Sequence, residues 1–301
     1  MHKQLHQAPA ERSENSIRCC GTIRKPRLTA DSSSRWPDRR KSPTSATGEP
    51  LAINAPASKL DIDNLSIRFG GIVALDAVSF SVGDREIVGL IGPNGAGKTT
   101  VFNCITRVYE PGAGAVRLNG TDLLSLPPHD IIRNGVARTF QNVELFKTMT
   151  VLDNLLVGQH TLLNPVQSFF KETAARRRAV EILEFFKLER LIRVPAGGLP
   201  FAVQKRVEMA RALISEPELL LLDEPASGLN HEEIDSLANL IKRIRDDIGV
   251  TILLVEHHMS MVMKISDKLV VLDFGRKIAE GTPQVVSQDP RVIEAYLGEA
   301  P

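Results

Sequence analysis

A glycine-rich stretch in the first third of the chain carries residue types that bind a phosphate chain. It fits the spacing G-x-x-x-x-G-K-T. Glycines let such a loop turn tightly with its N–H groups pointing inward, and the helix that follows adds a positive dipole end. A lysine there supplies charge to the β- and γ-phosphates, and the next threonine supplies a hydroxyl to Mg2+. The stretch consists of Gly92, Pro93, Asn94, Gly95, Ala96, Gly97, Lys98, Thr99 and Thr100.

Two adjacent carboxylates follow an uninterrupted apolar run in the second half of the chain. Residues 219–222 are all leucine, which predicts a strand buried on both faces, and Asp223 and Glu224 come next. Carboxylates at the carboxyl end of a parallel strand lie at the ligand edge of the sheet. Asp223 is therefore predicted to hold Mg2+, and Glu224 to act as general base on the attacking water. An acidic helix cap is the plain alternative, which the phosphate loop upstream makes less favourable.

Two further residues have both a structural and a functional interpretation. His257 follows Glu256 at the end of the predicted strand 250–257, whose residues 250–255 form an apolar run. It is a candidate contact to a γ-phosphate, although a lone histidine is more often structural. Phe69 precedes the Gly70-Gly71 turn. It either packs a sheet edge or stacks on adenine, and periodicity alone leaves both interpretations open.

Hydrophobic patterning predicts the elements that position these residues. Alternation indicates half-buried strands over 60–69 and 73–82, and an apolar run over 86–91 predicts a buried strand before the phosphate loop. Helices are predicted after the loop, from Asp130, over 150–157 with a Thr150 cap, around 171–188 and near 290–297. The other predicted strands are 115–120, 136–140, 219–223, 250–257 and a hairpin over 269–281. This pattern is typical of an α/β fold with a mostly parallel core sheet, an antiparallel β portion at the start and a helical insertion.

Composition excludes several classes of protein. The 301 residues are 43% hydrophobic and carry a net charge of +1, so nucleic acid is not an expected partner. Residues 1–57 are rich in Ser, Pro, Arg and Lys, and we expect a disordered basic tail there. No apolar run approaches the roughly 18 residues of a membrane span. Three cysteines, two of them adjacent, form no disulfide framework or zinc site, and Cys104 is predicted to be a core residue.

Taken together, these motifs resemble an ABC-type ATPase subunit over about residues 59–298. The resemblance implies a P-loop ABC cassette over 58–298 with its helical insertion at about 142–215. It implies that Phe69 stacks on adenine, that Gln141 reaches the Mg2+ site and couples it to a membrane partner, and that His257 is the switch histidine. Within the family, residues 137–142, 255–259 and 295–298 look like the branched-chain amino acid uptake subfamily.

One motif departs from the family pattern. The usual Leu-Ser-Gly-Gly-Gln signature aligns with Leu199, Pro200, Phe201, Ala202 and Val203. In such ATPases this loop crosses a dimer and caps the γ-phosphate bound to the other subunit. Proline removes the serine hydroxyl and one backbone N–H, and alanine adds a Cβ where the family has glycine. Asn230 and His258 also stand where aspartate is usual.

The resemblance implies an ATPase that binds MgATP, dimerises head-to-tail and drives a membrane permease from the cytoplasmic face of the plasma membrane. Its partners would be permease subunits, a second ATPase subunit in a hetero- or homodimer and, indirectly, a solute-binding protein. The alternatives are a urea-type permease ATPase, a non-catalytic or weakly catalytic ATP-binding regulatory subunit of an ABC complex, and a soluble ABC ATPase of translation or DNA repair. If the second subunit is a different chain, the altered signature predicts two unequal nucleotide sites.

Overall fold

A computed structural model describes residues 58–159 and 168–297 of the chain. The predicted disordered tail over residues 1–57 lies outside the described residues, as do residues 160–167 of the predicted helical insertion. Across the described ranges, no helix combines the length and apolar content needed to cross a bilayer.

The predicted antiparallel portion is confirmed as a four-stranded sheet with the order β2-β1-β4-β5. Strands β1 and β2 pair antiparallel around the Gly70-Gly71 turn, as their alternating pattern predicts. Their inward-facing apolar side chains pack into the main core of the molecule. These strands are β1 (Ser58–Phe69), β2 (Ile72–Gly83), β4 (Ala113–Leu118) and β5 (Thr121–Asp122), and β3 (Ile87–Ile91) lies between β2 and β4 in the chain.

The second sheet has six strands in the order β10-β9-β3-β8-β7-β6, and β3 is one of its members. All neighbouring pairs are parallel except the β9–β10 hairpin. Every residue of β3, β7 and β8 is buried, which explains their continuous apolar sequences. The remaining strands are β6 (Val136–Arg138), β7 (Leu219–Asp223), β8 (Thr251–Val255), β9 (Lys268–Asp273) and β10 (Arg276–Gly281).

Eight α-helices lie within the described residues, and the predicted helices over 150–157, 171–188 and 290–297 are confirmed with small shifts of their bounds. The predicted cap also forms, because Thr150 Oγ1 accepts a hydrogen bond from Asp153 N at 3.1 Å. The helices are α1 (Lys98–Ile105), α2 (Val151–Gln159), α3 (Ser168–Phe185), α4 (Phe201–Leu213), α5 (His231–Arg243), α6 (Met259–Ile265), α7 (Pro283–Val286) and α8 (Pro290–Leu297).

The predicted α-helix from Asp130 is wrong. Pro128–Asp130 form a 3-10 helix instead, and turns lead directly to Gly135, whose φ is +84°. The segment has only a few residues in which to reach β6, so an α-helix has no room to extend. Cys104 is buried in α1, as predicted, and its burial raises the pKa of its thiol to about 11.

Two predicted strands end two residues early. β6 ends at Arg138; beyond it Thr139 N still donates to Leu221 O at 2.9 Å, and Phe140 N donates to the Glu208 carboxylate at 3.4 Å. β8 stops at Val255 because Glu256 turns its carboxylate back to accept from the following backbone N–H groups. Both departures occur at the edge where the parallel strands β3, β8, β7 and β6 have their carboxyl ends, so the predicted site residues converge there.

Candidate active site

The loop between β3 and α1 has a backbone that only glycine can adopt at two positions. Gly92 has φ +148°, and a Cβ there would lie 2.0 Å from the Leu272 carbonyl oxygen. Gly97 has φ +99°, and a Cβ there would lie 2.7 Å from Leu75 Cδ2. The positive φ angles let the loop fold back on itself and deliver the chain into the first turn of α1. The loop thus has the shape that its glycine spacing predicts.

The polar groups of this loop gather at the N-terminus of α1. Lys98 Nζ donates to the carbonyl oxygens of Gly92 at 2.7 Å and Pro93 at 2.8 Å, so the ammonium lies over the loop. Thr99 is exposed and Thr100 is half-buried in the first turn of the helix. The first N–H groups of a helix have no intrahelical acceptor, so this end offers donors and a positive dipole to an anion.

Glu224 stands at the centre of the converging side chains. Its Oε2 accepts from Gln141 Nε2 at 2.8 Å and lies 3.6 Å from His257 Nδ1. Glu224 has φ +45°, an uncommon backbone conformation for a side chain of this kind, and its N–H donates to Val255 O at 2.9 Å. Left-handed backbone of this type costs about 1–3 kcal/mol and clusters at functional sites. The Glu224 backbone is therefore strained, and the contacts with Val255 O and Gln141 Nε2 hold the residue in place.

Asp223 forms a buried ion pair with a residue that the sequence analysis did not assign to the site. Arg138 Nη2 donates to Asp223 Oδ2 at 2.7 Å, and the two side chains are 9% and 6% exposed. Arg138 Nη1 also donates to Asn103 Oδ1 at 2.7 Å, and the guanidinium lies 5.5 Å and 5.3 Å from the ring centroids of Phe102 and Phe140. One arginine thus ties β6, β7 and α1 together at the carboxylate.

Glu256 is a second residue that the sequence analysis missed, and it organises the loop that carries His257. Its buried carboxylate accepts from the backbone N–H groups of His257 and His258 at 2.8 and 3.0 Å and from Ala226 N at 2.7 Å. It also lies 3.1 Å from His258 Nδ1. A buried carboxylate needs such partners, and here they join the segments that follow β7 and β8.

Phe69 lies at the end of β1 with its ring partly exposed. It meets Tyr109 edge-on, with ring centroids 5.0 Å apart and an interplanar angle of 69°. This contact packs one edge of the ring and leaves a surface to solvent, so both interpretations from the sequence remain compatible with its position.

The divergent signature loop, residues 199–203, occupies the N-terminus of α4. Pro200 is the residue before the helix, and it offers no side-chain cap. Gln204 Nε2 donates to Leu199 O at 2.8 Å, and Phe201 is 45% exposed. Asn230 caps α5 reciprocally with Glu233, which gives this unusual residue a structural role.

The structure therefore brings Gln141, Glu224 and His257 together beside Asp223, at the edge that also carries the phosphate loop. Arg138 and Glu256 could have been found from one signal: a charged residue directly at the carboxyl end of an apolar run. Lys205, buried beneath Gln141, gave no such signal because its sequence neighbours on α4 are also charged and polar.

A mostly parallel sheet with a phosphate loop after its central strand and two carboxylates after another strand defines a P-loop nucleoside triphosphatase cassette. The sequence pattern described as ABC transporter matches residues 75–227. The pattern described as branched-chain amino acid ATP-binding cassette transporter matches residues 276–301.

Known proteins of the same family are similar to this chain in sequence and in structure. The high-affinity branched-chain amino acid transport ATP-binding protein BraF of Pseudomonas aeruginosa is 47% identical over 250 residues, which cover 80% of this chain and 98% of BraF. The ADP conformation of MJ1267, an ATP-binding cassette of an ABC transporter, superposes with a TM-score of 0.73 at 35% identity, covering 81% of this chain and 100% of MJ1267. A dimeric post-hydrolysis state of the cassette MJ0796, bound to ADP and Pi, gives 0.65 at 25% identity over 74% of this chain and 98% of that one.

The chain belongs to the ABC transporter ATP-binding family. It is an ABC-type, transport-coupled ATPase that binds nucleotide as a subunit of a transporter. The predicted family and fold class are confirmed, and these similarities favour the transport ATPase over a regulatory subunit.

Proposed function

We propose that this chain hydrolyses ATP to energise a membrane permease that imports branched-chain amino acids or a similar small solute. The observation that carries the hydrolysis is the arrangement of Glu224, whose carboxylate lies 2.8 Å from Gln141 Nε2 and 3.6 Å from His257 Nδ1 at the sheet edge that also carries the phosphate loop. The solute class is supported by the similarity to BraF and by the pattern matched over residues 276–301.

Each residue receives a role from its chemistry and position. Loop N–H groups of residues 92–97 cradle the phosphates, and Lys98 exchanges its contacts with loop carbonyls for the β- and γ-phosphates. Glu224 orients and deprotonates the attacking water as general base, and His257 contacts the γ-phosphate. Phe69 stacks on adenine, with Tyr109 supporting its ring from the side.

The oxygen ligands available at this edge of the sheet fit Mg2+. Thr99 offers a hydroxyl, Asp223 a buried carboxylate and Gln141 an amide oxygen, and these are the hard oxygen ligands that magnesium prefers. Arg138 engages one carboxylate oxygen of Asp223, so the other oxygen remains for a cation. When bound, Mg2+ would neutralise charge on the β- and γ-phosphates.

Assembly completes the site. We infer a head-to-tail dimer in which a second ATPase subunit places its signature loop over the nucleotide bound here, and the dimeric MJ0796 cassette supports this inference. Residues 58–298 would form the cassette, with the helical insertion at about 142–215. The dimer would bind permease subunits at the cytoplasmic face of the membrane, and a solute-binding protein would deliver the solute to the permease.

The test is ATP hydrolysis and leucine uptake by the purified complex in lipid vesicles. Glu224→Gln is expected to lower hydrolysis at its own site at least about 100-fold, because general base catalysis contributes about 100- to 10,000-fold. ATP affinity should be retained, because the phosphate loop is intact. Glu232→Gln, an exposed acid in the first turn of α5, is the matched control and should behave as wild type. Hydrolysis without any solute uptake would refute the permease role.

A further inference from the structure

Three charged residues follow one another at three-residue spacing along α4: Lys205, Glu208 and Arg211. Residues three apart are neighbours on a helix surface, so Lys205 and Arg211 each lie beside Glu208. Lys205 is only 3% exposed and Glu208 only 2% exposed. Burial lowers the pKa of Lys205 and raises that of Glu208. Buried charges are costly, so their partners indicate why they lie there.

Their partners are the backbone of the segment that follows β6. Lys205 Nζ donates to the Gln141 carbonyl oxygen at 2.8 Å, and the Glu208 carboxylate accepts from Phe140 N at 3.4 Å. Arg211 Nη1 donates to the Glu144 carbonyl oxygen at 2.5 Å. An apolar side chain could fill this space without desolvating a charge. The charged side chains instead fix the main-chain position of residues 140–144.

Lys205 also connects this segment to the end of α4 that bears the altered signature. Its Nζ lies 5.6 Å from the ring centroid of Phe201, the first residue of the helix. A Cβ added at Gly228, in the loop after Glu224, would lie 3.0 Å from Phe201 Cε1, so that ring packs closely on this loop. Gln141, held at its carbonyl by Lys205, donates through its side chain to Glu224.

We propose that Lys205 is a positioning residue for Gln141. Its ammonium fixes the Gln141 main chain so that the side-chain amide meets Glu224, and it links this geometry to Phe201 at the surface offered to the second subunit. The inference rests on the proposed function, because it assigns a support to the Gln141–Glu224 pair. Lys205 itself touches neither the water nor the phosphates.

The test compares Lys205→Met with Lys205→Arg in the full chain, assembled with its partner subunits. Lys205→Met is expected to lower kcat for ATP about tenfold while KM stays within about twofold, because misplacing a positioned group costs rate rather than ground-state binding. Lys205→Arg should recover most of the loss, since it keeps the charge and the donors. Lys268→Met is the matched control, because Lys268 also donates to a backbone carbonyl, that of Ser81 at 2.6 Å, but at the start of β9.

Two readouts separate positioning from mere stabilisation. In a Gln141→Ala background, Lys205→Met should change kcat by less than about twofold, because no side chain remains to be positioned. Backbone amides of 140–144 should exchange hydrogen faster in Lys205→Met than in Lys268→Met. If Lys205→Met does not fold, Lys205→Gln takes its place in both measurements.

Unchanged kcat, or losses that multiply independently in the double variant, would overturn the proposal. Wild-type complex that hydrolyses no ATP would refute the proposed function instead, and the hydrogen-exchange comparison would still decide whether Lys205 fixes the segment.

Discussion

Two parts of this cassette serve nucleotide hydrolysis in the function proposed above, and they are built differently. The first, which we call the hydrolysis edge, comprises the phosphate loop 92–100 with Gln141, Asp223, Glu224 and His257. The second is the signature loop 199–203 at the N-terminus of α4. Strained backbone and buried polar contacts fix the hydrolysis edge, whereas the signature loop offers a helix end with a proline and an exposed phenylalanine.

This difference predicts which of the two regions tolerates amino-acid substitution better. A buried ion pair or a left-handed backbone position at the hydrolysis edge is held by several elements at once, so a substitution there disturbs them all. A helix N-terminus attracts an anion through its backbone, so we expect the signature loop to keep part of its capacity to bind a phosphate although its side chains depart from the family pattern.

The largest effect is expected from a single methyl group in the phosphate loop. Gly92→Ala would place a Cβ 2.0 Å from the Leu272 carbonyl oxygen at φ +148°, so the loop must shift. We expect ATP affinity to fall about 100-fold, measured by binding of a fluorescent ATP analogue, because displaced donors no longer meet the phosphates. Gly198→Ala, beside the signature loop, meets nothing within 4 Å and should bind normally. Equal ATP affinity in both variants would contradict the greater sensitivity of the hydrolysis edge compared with the signature loop.

The next effect concerns stability. Arg138→Met leaves the buried Asp223 carboxylate without its guanidinium partner, and breaking a buried pair costs about 3–5 kcal/mol of unfolding free energy. Arg276→Met removes an equally short but exposed pair with Asp76 and should cost less than about 1 kcal/mol. Urea unfolding of both variants measures the difference. Similar losses would mean that burial does not distinguish the two pairs.

The smallest effect is expected at the signature loop. Restoring Pro200→Ser and Ala202→Gly returns a hydroxyl and a glycine to the loop offered to the second subunit. Turnover at that subunit's nucleotide should rise a few-fold, because one hydrogen bond contributes about 1 kcal/mol. Measuring it in the Glu224→Gln background isolates that site. No increase would show that the altered loop does not limit turnover at that site.

Much of the hydrolysis edge follows from local sequence. Continuous apolar runs predict the buried strands, and the parallel order brings their carboxyl ends together, so Asp223, Glu224 and His257 were predictable as neighbours. Gln141 was added to them only by the family resemblance. The glycine spacing likewise predicted the shape of the phosphate loop, because the backbone angles depend on residue type.

The supporting residues were harder to predict, because they act across elements distant in sequence. Lys205 lies 64 residues from the backbone carbonyl it bonds, and Arg138 lies 85 residues from Asp223. Nothing in the local pattern of Lys205 distinguishes a buried partner from a solvated charge. The position of Arg138 after an apolar run marks it as a candidate but does not identify Asp223 as its partner. The helix predicted from Asp130 failed for a related reason, since the nearby start of β6 overrides the local preference.

The most direct test of the account compares the two nucleotide sites of the assembled transporter. Glu224→Gln and the same substitution at the partner's equivalent glutamate are introduced separately, and steady-state ATP hydrolysis is measured. If the second subunit is a different chain with an intact signature, Glu224→Gln should remove most of the turnover and the partner's substitution little of it. Equal losses would contradict the claim that this chain contributes a strong hydrolysis edge and a weakened signature loop.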